Sequence, residues 1–205
     1  MIKRPMSYSQ FTLNDLKQQF GIRTLEGTRV LPDLEPSPVG QVLSSILEEN
    51  LPLAIATGSE KARSELLISP VLVDVRKRLN RQVSLFSGES FDVDPEQGLT
   101  GICDFLISRS PEQLEIEAPV IVLVEAKKAD LKGGIPQCIA EMIAAQQFNA
   151  SRSQPINQVY GCVTQGEQWR FLRLCQGTVT IDFTDYSIRA VGELLSALVW
   201  IASEG

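Results

Sequence analysis

The chain has 205 residues, 43% of them hydrophobic and 21% charged, enough to bury roughly two thirds of its unfolded surface in one core. Its net charge of -6 argues against a protein that coats nucleic acid by bulk electrostatics, and leaves room only for a local basic patch. The 4 cysteines stand apart with no CxxC pair and histidine is absent, which speaks against a structural zinc site or a disulfide framework and for a reducing, cytoplasmic setting.

Residues 1–8 carry charge with no apolar run behind it, and no stretch approaches membrane-spanning length. Thr12 then opens a short amphipathic helix with Leu13, Leu16 and Phe20 on one face, closed by Gly21. After a turn-rich stretch through Pro32 and Pro36, Ser37 and Pro38 predict the cap and first residue of a second helix. Val39, Val42, Leu43, Ile46 and Leu47 would face inward, and Pro52 would end it. Residues 1–55 thus read as a two-helix extension packed on a core domain of residues 56–205, since neither helix buries its stripe alone.

The core opens with Thr57-Gly-Ser-Glu60, a pattern that fits a capping box, followed by Leu66, Leu67, Val71, Leu72, Val75 and Leu79 at helical spacing. Pro70 should kink or split that helix. Its far end carries Arg76, Lys77, Arg78 and Arg81, which would either contact phosphates or form a solvated face at a helix C-terminus. Residues 83–86 suggest an edge strand. Residues 101–107 form an apolar strand with one carboxylate, Asp104, at its middle, where an unpaired charge would cost several kcal/mol.

The strongest signal is Val120-Ile-Val-Leu-Val-Glu-Ala-Lys127, where five consecutive apolar residues run into a carboxylate and an amine two positions apart. A run apolar on both faces is a central strand buried between layers, and in an extended chain Glu125 and Lys127 point the same way. If the two strands pair, Asp104 and Glu125 share one divalent cation, or Lys127 and Asp104 form an ion pair instead. A basic turn with Lys128 and Lys132 follows, then a helix from about Ile135 to Phe148 with Gln137 in its first turn. Residues 159–164, 168–174 and 179–183 predict three antiparallel strands joined by glycine-containing hairpins, with Trp169 and Phe171 as hairpin packing. Residues 191–202 close the chain as a helix. The order describes an α/β (α+β) protein with a mixed central sheet flanked by helices.

Glu60 on a helix, Asp104 on one strand, Glu125-Ala-Lys127 on the next and Gln137 on the following helix resemble the PD-(D/E)XK nuclease superfamily over about residues 57–185. The likeness is strongest to the N-terminal nuclease domain of type I restriction motor subunits. Those have a similar Glu-x-x-Arg start, here Glu60 and Arg63, ahead of Leu67-Ile-Ser-Pro70, and a similar hairpin, here from Gly161 through Trp169. One departure is Cys103 where the superfamily often has proline. The resemblance implies a restriction-endonuclease-like fold and Mg²⁺- or Mn²⁺-dependent phosphodiester hydrolysis. Asp104, Glu125 and the Ala126 carbonyl would be metal ligands, with Glu60 on a metal-bound water or a second ion. Lys127 would be catalytic, and Gln137 would contact a phosphate or the attacking water.

The expected partner is nucleic acid, DNA first, with Arg76, Lys77, Arg78, Arg81, Lys128 and Lys132 as backbone contacts, and a homodimer is compatible with the pattern. Two rival readings stand beside this one: a nuclease fold that no longer cuts and serves as a nucleic-acid-binding or assembly subunit, and an interaction domain that uses the N-terminal helices as an oligomer interface.

Overall fold

The computed structural model describes residues 6–127 and 130–203. Helix α1 (Leu13–Phe20) begins as its sequence predicts: Thr12 Oγ1 accepts the Asp15 N–H at 3.2 Å and Asp15 Oδ2 accepts the Thr12 N–H at 2.9 Å. Gly21, at φ 65°, ends it in the left-handed conformation that glycine adopts without strain. A short strand, β1 (Arg23–Glu26), follows where the sequence suggested only loop.

Helix α2 (Gln41–Thr57) corrects two expectations. Gly40 rather than Ser37 sits at its cap, and Pro52 lies inside the helix. Proline there removes one bond, to the carbonyl of exposed Glu48, which water can satisfy, and the actual stop is Gly58 at φ 65°. Its core face is also narrower than predicted, for Leu43, Leu47 and Ala54 are buried while Val39, Val42 and Ile46 are exposed.

Helix α3 (Glu60–Arg63) passes through one wide π-turn (Ser64–Ile68) into α4 (Ser69–Arg78). Pro70 therefore falls in the first turn of α4, and the Leu66 carbonyl four residues back, which its missing N–H would have met, accepts from Asn50 Nδ2 at 2.9 Å instead. Because Gly58 closes α2, the cap of α3 is Ser59, whose Oγ accepts the Ala62 N–H at 3.1 Å. Thr57 and Glu60 do not form the capping box that the pattern suggested.

The sheet begins with β2 (Ser84–Ser90), an edge strand four residues longer at its polar end than predicted. Next come β3 (Ile102–Ser108) and β4 (Val120–Ala126), whose seven residues are all buried. Helix α5 (Leu131–Ser151) starts four residues before its predicted position, at an Asp130 cap that accepts the Lys132 N–H at 2.9 Å. It carries the chain from β4 over to parallel β5 (Gln158–Thr164). The antiparallel meander of β5, β6 (Gln168–Cys175) and β7 (Thr178–Ser187) is as predicted, and α6 (Val191–Ser203) closes the chain.

One seven-stranded mixed sheet results, in the order β1-β7-β6-β5-β4-β3-β2, with β1 parallel to β7 at one edge. Leu43, Leu72 and Leu198 from α2, α4 and α6 pack on one face with Val122 and Val124. Leu16 and Ile139 from α1 and α5 pack on the other with Leu123 and Val163. From Val122 onward alternate residues of β4 thus enter different cores, and both faces of the strand are buried, which is why its sequence is apolar without a period. No helix among the described residues is long and apolar enough to cross a membrane.

Candidate active site

The apolar run of β4 ends at Glu125, a carboxylate only 1% exposed. Lys127 stays tied to the sheet, its N–H donated to the Thr164 carbonyl at 2.7 Å, while its side chain turns back along Glu125. The Lys127 ammonium contacts Glu125 Oε1 and lies 3.4 Å from Gln137 Oε1. The two-residue spacing predicted this shared side. Lys127 also runs against the start of α5, where a Cβ on Gly134 would fall 2.7 Å from Val163 Cγ1 and 3.0 Å from Lys127 Cγ. Glycine in that turn is what allows the helix to approach so closely.

Asp104 reaches the same place from β3. The ladder between β3 and β4 shifts register between Ile107 and Ser108 and runs as far as Phe105–Val124, and past it the Ala126 N–H is donated to Asp104 Oδ2 at 2.8 Å. Asp104 and Ala126 line a cleft of about 240 Å³ together with Glu60, Ser64, Ser87 and Gly88. Glu60 projects there from the first residue of α3. Arg63, one turn on, fastens α3 to the β5–β6 hairpin, donating to the Gln165 carbonyl at 2.8 Å and pairing with Glu167 at 2.9 Å.

Gln137 is in the second turn of α5 rather than the first, because the helix begins at Leu131. Its amide bridges two site residues, since Oε1 faces Lys127 and Nε2 donates to Glu141 Oε1 at 3.2 Å. Glu141 was not foreseen. It is fully buried, the charge of Glu125 acts on it, and Oε2 of Glu125 and Oε2 of Glu141 each lack a hydrogen-bond partner. A signal for it did exist. Residues 138–145 are apolar on every face except at Glu141, and a helix hydrophobic all round is a buried one, so its single acid had to be buried too.

Crowding acids away from water sets the electrostatics. Burial, then the charge of Asp104, pushes the Glu125 carboxyl up to about 8 against the pull of Lys127. Burial and Glu125 push Glu141 well above the usual carboxylate range. Burial pulls the Lys127 ammonium down, but Glu125, Glu60 and Asp104 outweigh it and the net shift is upward, so Lys127 is firmly cationic.

These donors suit a hard divalent cation: buried carboxylate oxygens without partners and more acids than bases. Among the described residues no three or more of His, Cys, Asp and Glu converge as a ligand group. A cation here would rest on Asp104 and Glu125, with the Ala126 carbonyl and water completing its shell, while Glu60 lines the cleft beside them. No protein-family profile and no curated protein matches the chain.

The remaining cations lie apart. Arg76 Nε donates to the Val83 carbonyl at 3.0 Å, and Arg78 pairs with Asp74 at 2.6 Å and donates to the Pro38 carbonyl at 2.8 Å. Arg76, Lys77 and Arg81 border a groove of about 380 Å³ near the start of β2, which pairs with Ser108 at the end of β3 remote from Asp104. Lys132 is exposed in the first turn of α5, and Lys128 lies outside the described residues. Trp169 and Phe171 are fully buried, the former donating to the Gly166 carbonyl at 3.0 Å, so both serve packing, as expected.

Proposed function

We propose that this chain is a Mg²⁺- or Mn²⁺-dependent phosphodiesterase acting on nucleic acid, DNA first, and that its sheet is a variant of the restriction-endonuclease-like fold. The observation that carries this reading is the meeting of Asp104, Glu125 and Lys127 at the ends of two adjacent buried strands, beside a cleft. When bound, the metal supplies Lewis-acid stabilisation of the phosphate and a water of lowered pKa.

The protein's own groups divide the remaining work. Asp104, held at one oxygen by the Ala126 N–H, and Glu125 would hold the cation. Lys127, held cationic by its acidic neighbours, donates hydrogen bonds to the phosphoryl oxygens as charge builds on them, rather than removing a proton from water. The Gln137 amide keeps that ammonium in place. Lys77, Arg81 and Lys132 are free to meet backbone phosphates at a distance from the scissile bond, and a homodimer would double such contacts.

The deciding experiment is cleavage of plasmid, single-stranded DNA and RNA with Mn²⁺ by the parent, Asp104→Asn and Lys127→Ala. The parent should cut at least one of these substrates and both variants should not. A second reading, a non-cutting binding subunit, draws on the direct contact of the Lys127 ammonium with Glu125 Oε1, which occupies both groups with one another. Binding without cleavage by the parent would establish it.

A further inference from the structure

We infer that Glu141 is a positioning residue of this site, which holds the Gln137 amide with its oxygen toward the Lys127 ammonium and thereby fixes where that ammonium stands. The role in turnover rests on the hydrolase reading above; the positional role does not.

Three contacts form the relay. Glu141 Oε1 accepts from Gln137 Nε2 at 3.2 Å, Gln137 Oε1 lies 3.4 Å from Lys127 Nζ, and Lys127 Nζ contacts Glu125 Oε1. Gln137 and Glu141 are four residues apart on α5, the spacing that brings two side chains together on one helix face. An amide has one accepting end and one donating end, so what lies on one side decides what it offers to the other. Reversing it here would set its NH₂ against the ammonium, which is repulsive, and would take from Glu141 Oε1 the N–H that it accepts. Glu141 therefore anchors the donating end of the amide in the orientation that presents its oxygen to Lys127.

The neighbours of Glu141 along the helix, Cys138, Ala140, Met142 and Ala145, are buried and offer the Gln137 NH₂ no comparable acceptor. A carboxyl kept at 0% exposure among them, with Oε2 lacking a side-chain or backbone partner, is a poor solution to core packing and a good one to aiming an amide. Second-layer hydrogen bonds of this kind, when removed, typically cost roughly 10- to 100-fold in activity.

The test uses the full chain and three substitutions, Glu141→Gln, Glu141→Met and Glu141→Leu. Glutamine retains an oxygen able to accept from Gln137, whereas the two apolar residues retain only bulk. The apolar variants should melt no lower than the parent, because a buried carboxyl is removed, yet lose roughly 10- to 100-fold in kcat with KM unchanged. Glu141→Gln should rescue that loss.

A second readout needs no turnover. In isotope-labelled protein the Gln137 side-chain amide resonances, assigned by their disappearance in Gln137→Met, should move in the apolar variants and stay near their parental positions in Glu141→Gln. Parental kcat in a folded apolar variant, or unmoved Gln137 amide resonances in one, overturns the proposal. If the parent cuts nothing, the hydrolase reading falls, and the amide resonances alone decide whether Glu141 positions Gln137.

Discussion

Asp104 and Ala126 are joined by a hydrogen bond that puts a side chain where backbone pairing has stopped, Asp104 Oδ2 accepting the Ala126 N–H at 2.8 Å. The carboxylate is thus fixed to the end of the neighbouring strand, and its other oxygen is left for the cleft that Asp104 lines. A site built on two interior strands is held more tightly than one carried by loops.

Metal should stabilise the fold. Two acids that repel one another when metal-free gain a shared counter-charge, and a ligand at about 100 times its dissociation constant adds about 2.7 kcal/mol. Melting curves with millimolar Mg²⁺ or Mn²⁺ should shift upward in the parent and stay unshifted in Asp104→Asn and Glu125→Gln. An unshifted parent would remove the metal from the site.

Stability without metal should fall as pH rises. The folded state holds the Glu125 carboxyl at about 8 against an ordinary 4.5, so it keeps a proton that the unfolded chain gives up. The contribution is whole below the unfolded value and is lost as pH rises through the folded one. Glu141 acts with the same sign. Urea midpoints measured in chelator across this range should decline less steeply for Glu125→Gln than for the parent; parallel slopes would contradict the assignment.

Gly134→Ala should destabilise, although alanine normally favours a helix by about 0.5–1 kcal/mol. Its Cβ would meet Val163 Cγ1 at 2.7 Å in a packed core, where overpacking costs about 1–3 kcal/mol. The net loss should be about 1–2 kcal/mol by urea unfolding. Because Lys127 Cγ is the next atom met, cleavage should drop further than stability does.

Ser59 and Glu60 are neighbours with opposite expected phenotypes. Ser59→Ala removes the cap of α3 and should cost about 1 kcal/mol while leaving the cleft chemistry intact. Glu60→Gln should leave the melting temperature nearly unchanged and lower metal affinity and cleavage, since Glu60 lines the cleft and does not cap. Equal metal affinity and activity in Glu60→Gln would reduce it to a bystander.

Much of this was legible where burial and charge conflict locally. Glu125 and Lys127 stand out because charges interrupt a run apolar on both faces, and Asp104 because it breaks a second such run. What escaped depends on partners distant in sequence. β1 is four residues, three of them polar, whose partner in the sheet is β7, some 150 positions away. The start of α5 is masked by Gly133 and Gly134, which read as a turn until Val163 and Lys127 are seen pressing on the second of them. Glu141 looks like an ordinary solvent-facing helix residue unless the helix is recognised as buried on every side.

The pairing of β1 with β7 also bears on how the protein is made. Residues 23–26 leave the ribosome long before residues 178–187, to which they are hydrogen-bonded in the finished sheet. Val30 has the same wait, because its N–H is donated to Asp182 Oδ2 at 2.8 Å. During synthesis, when domains ordinarily fold from the N-terminus onward, the first strand of this sheet cannot take its place until β7 has been made.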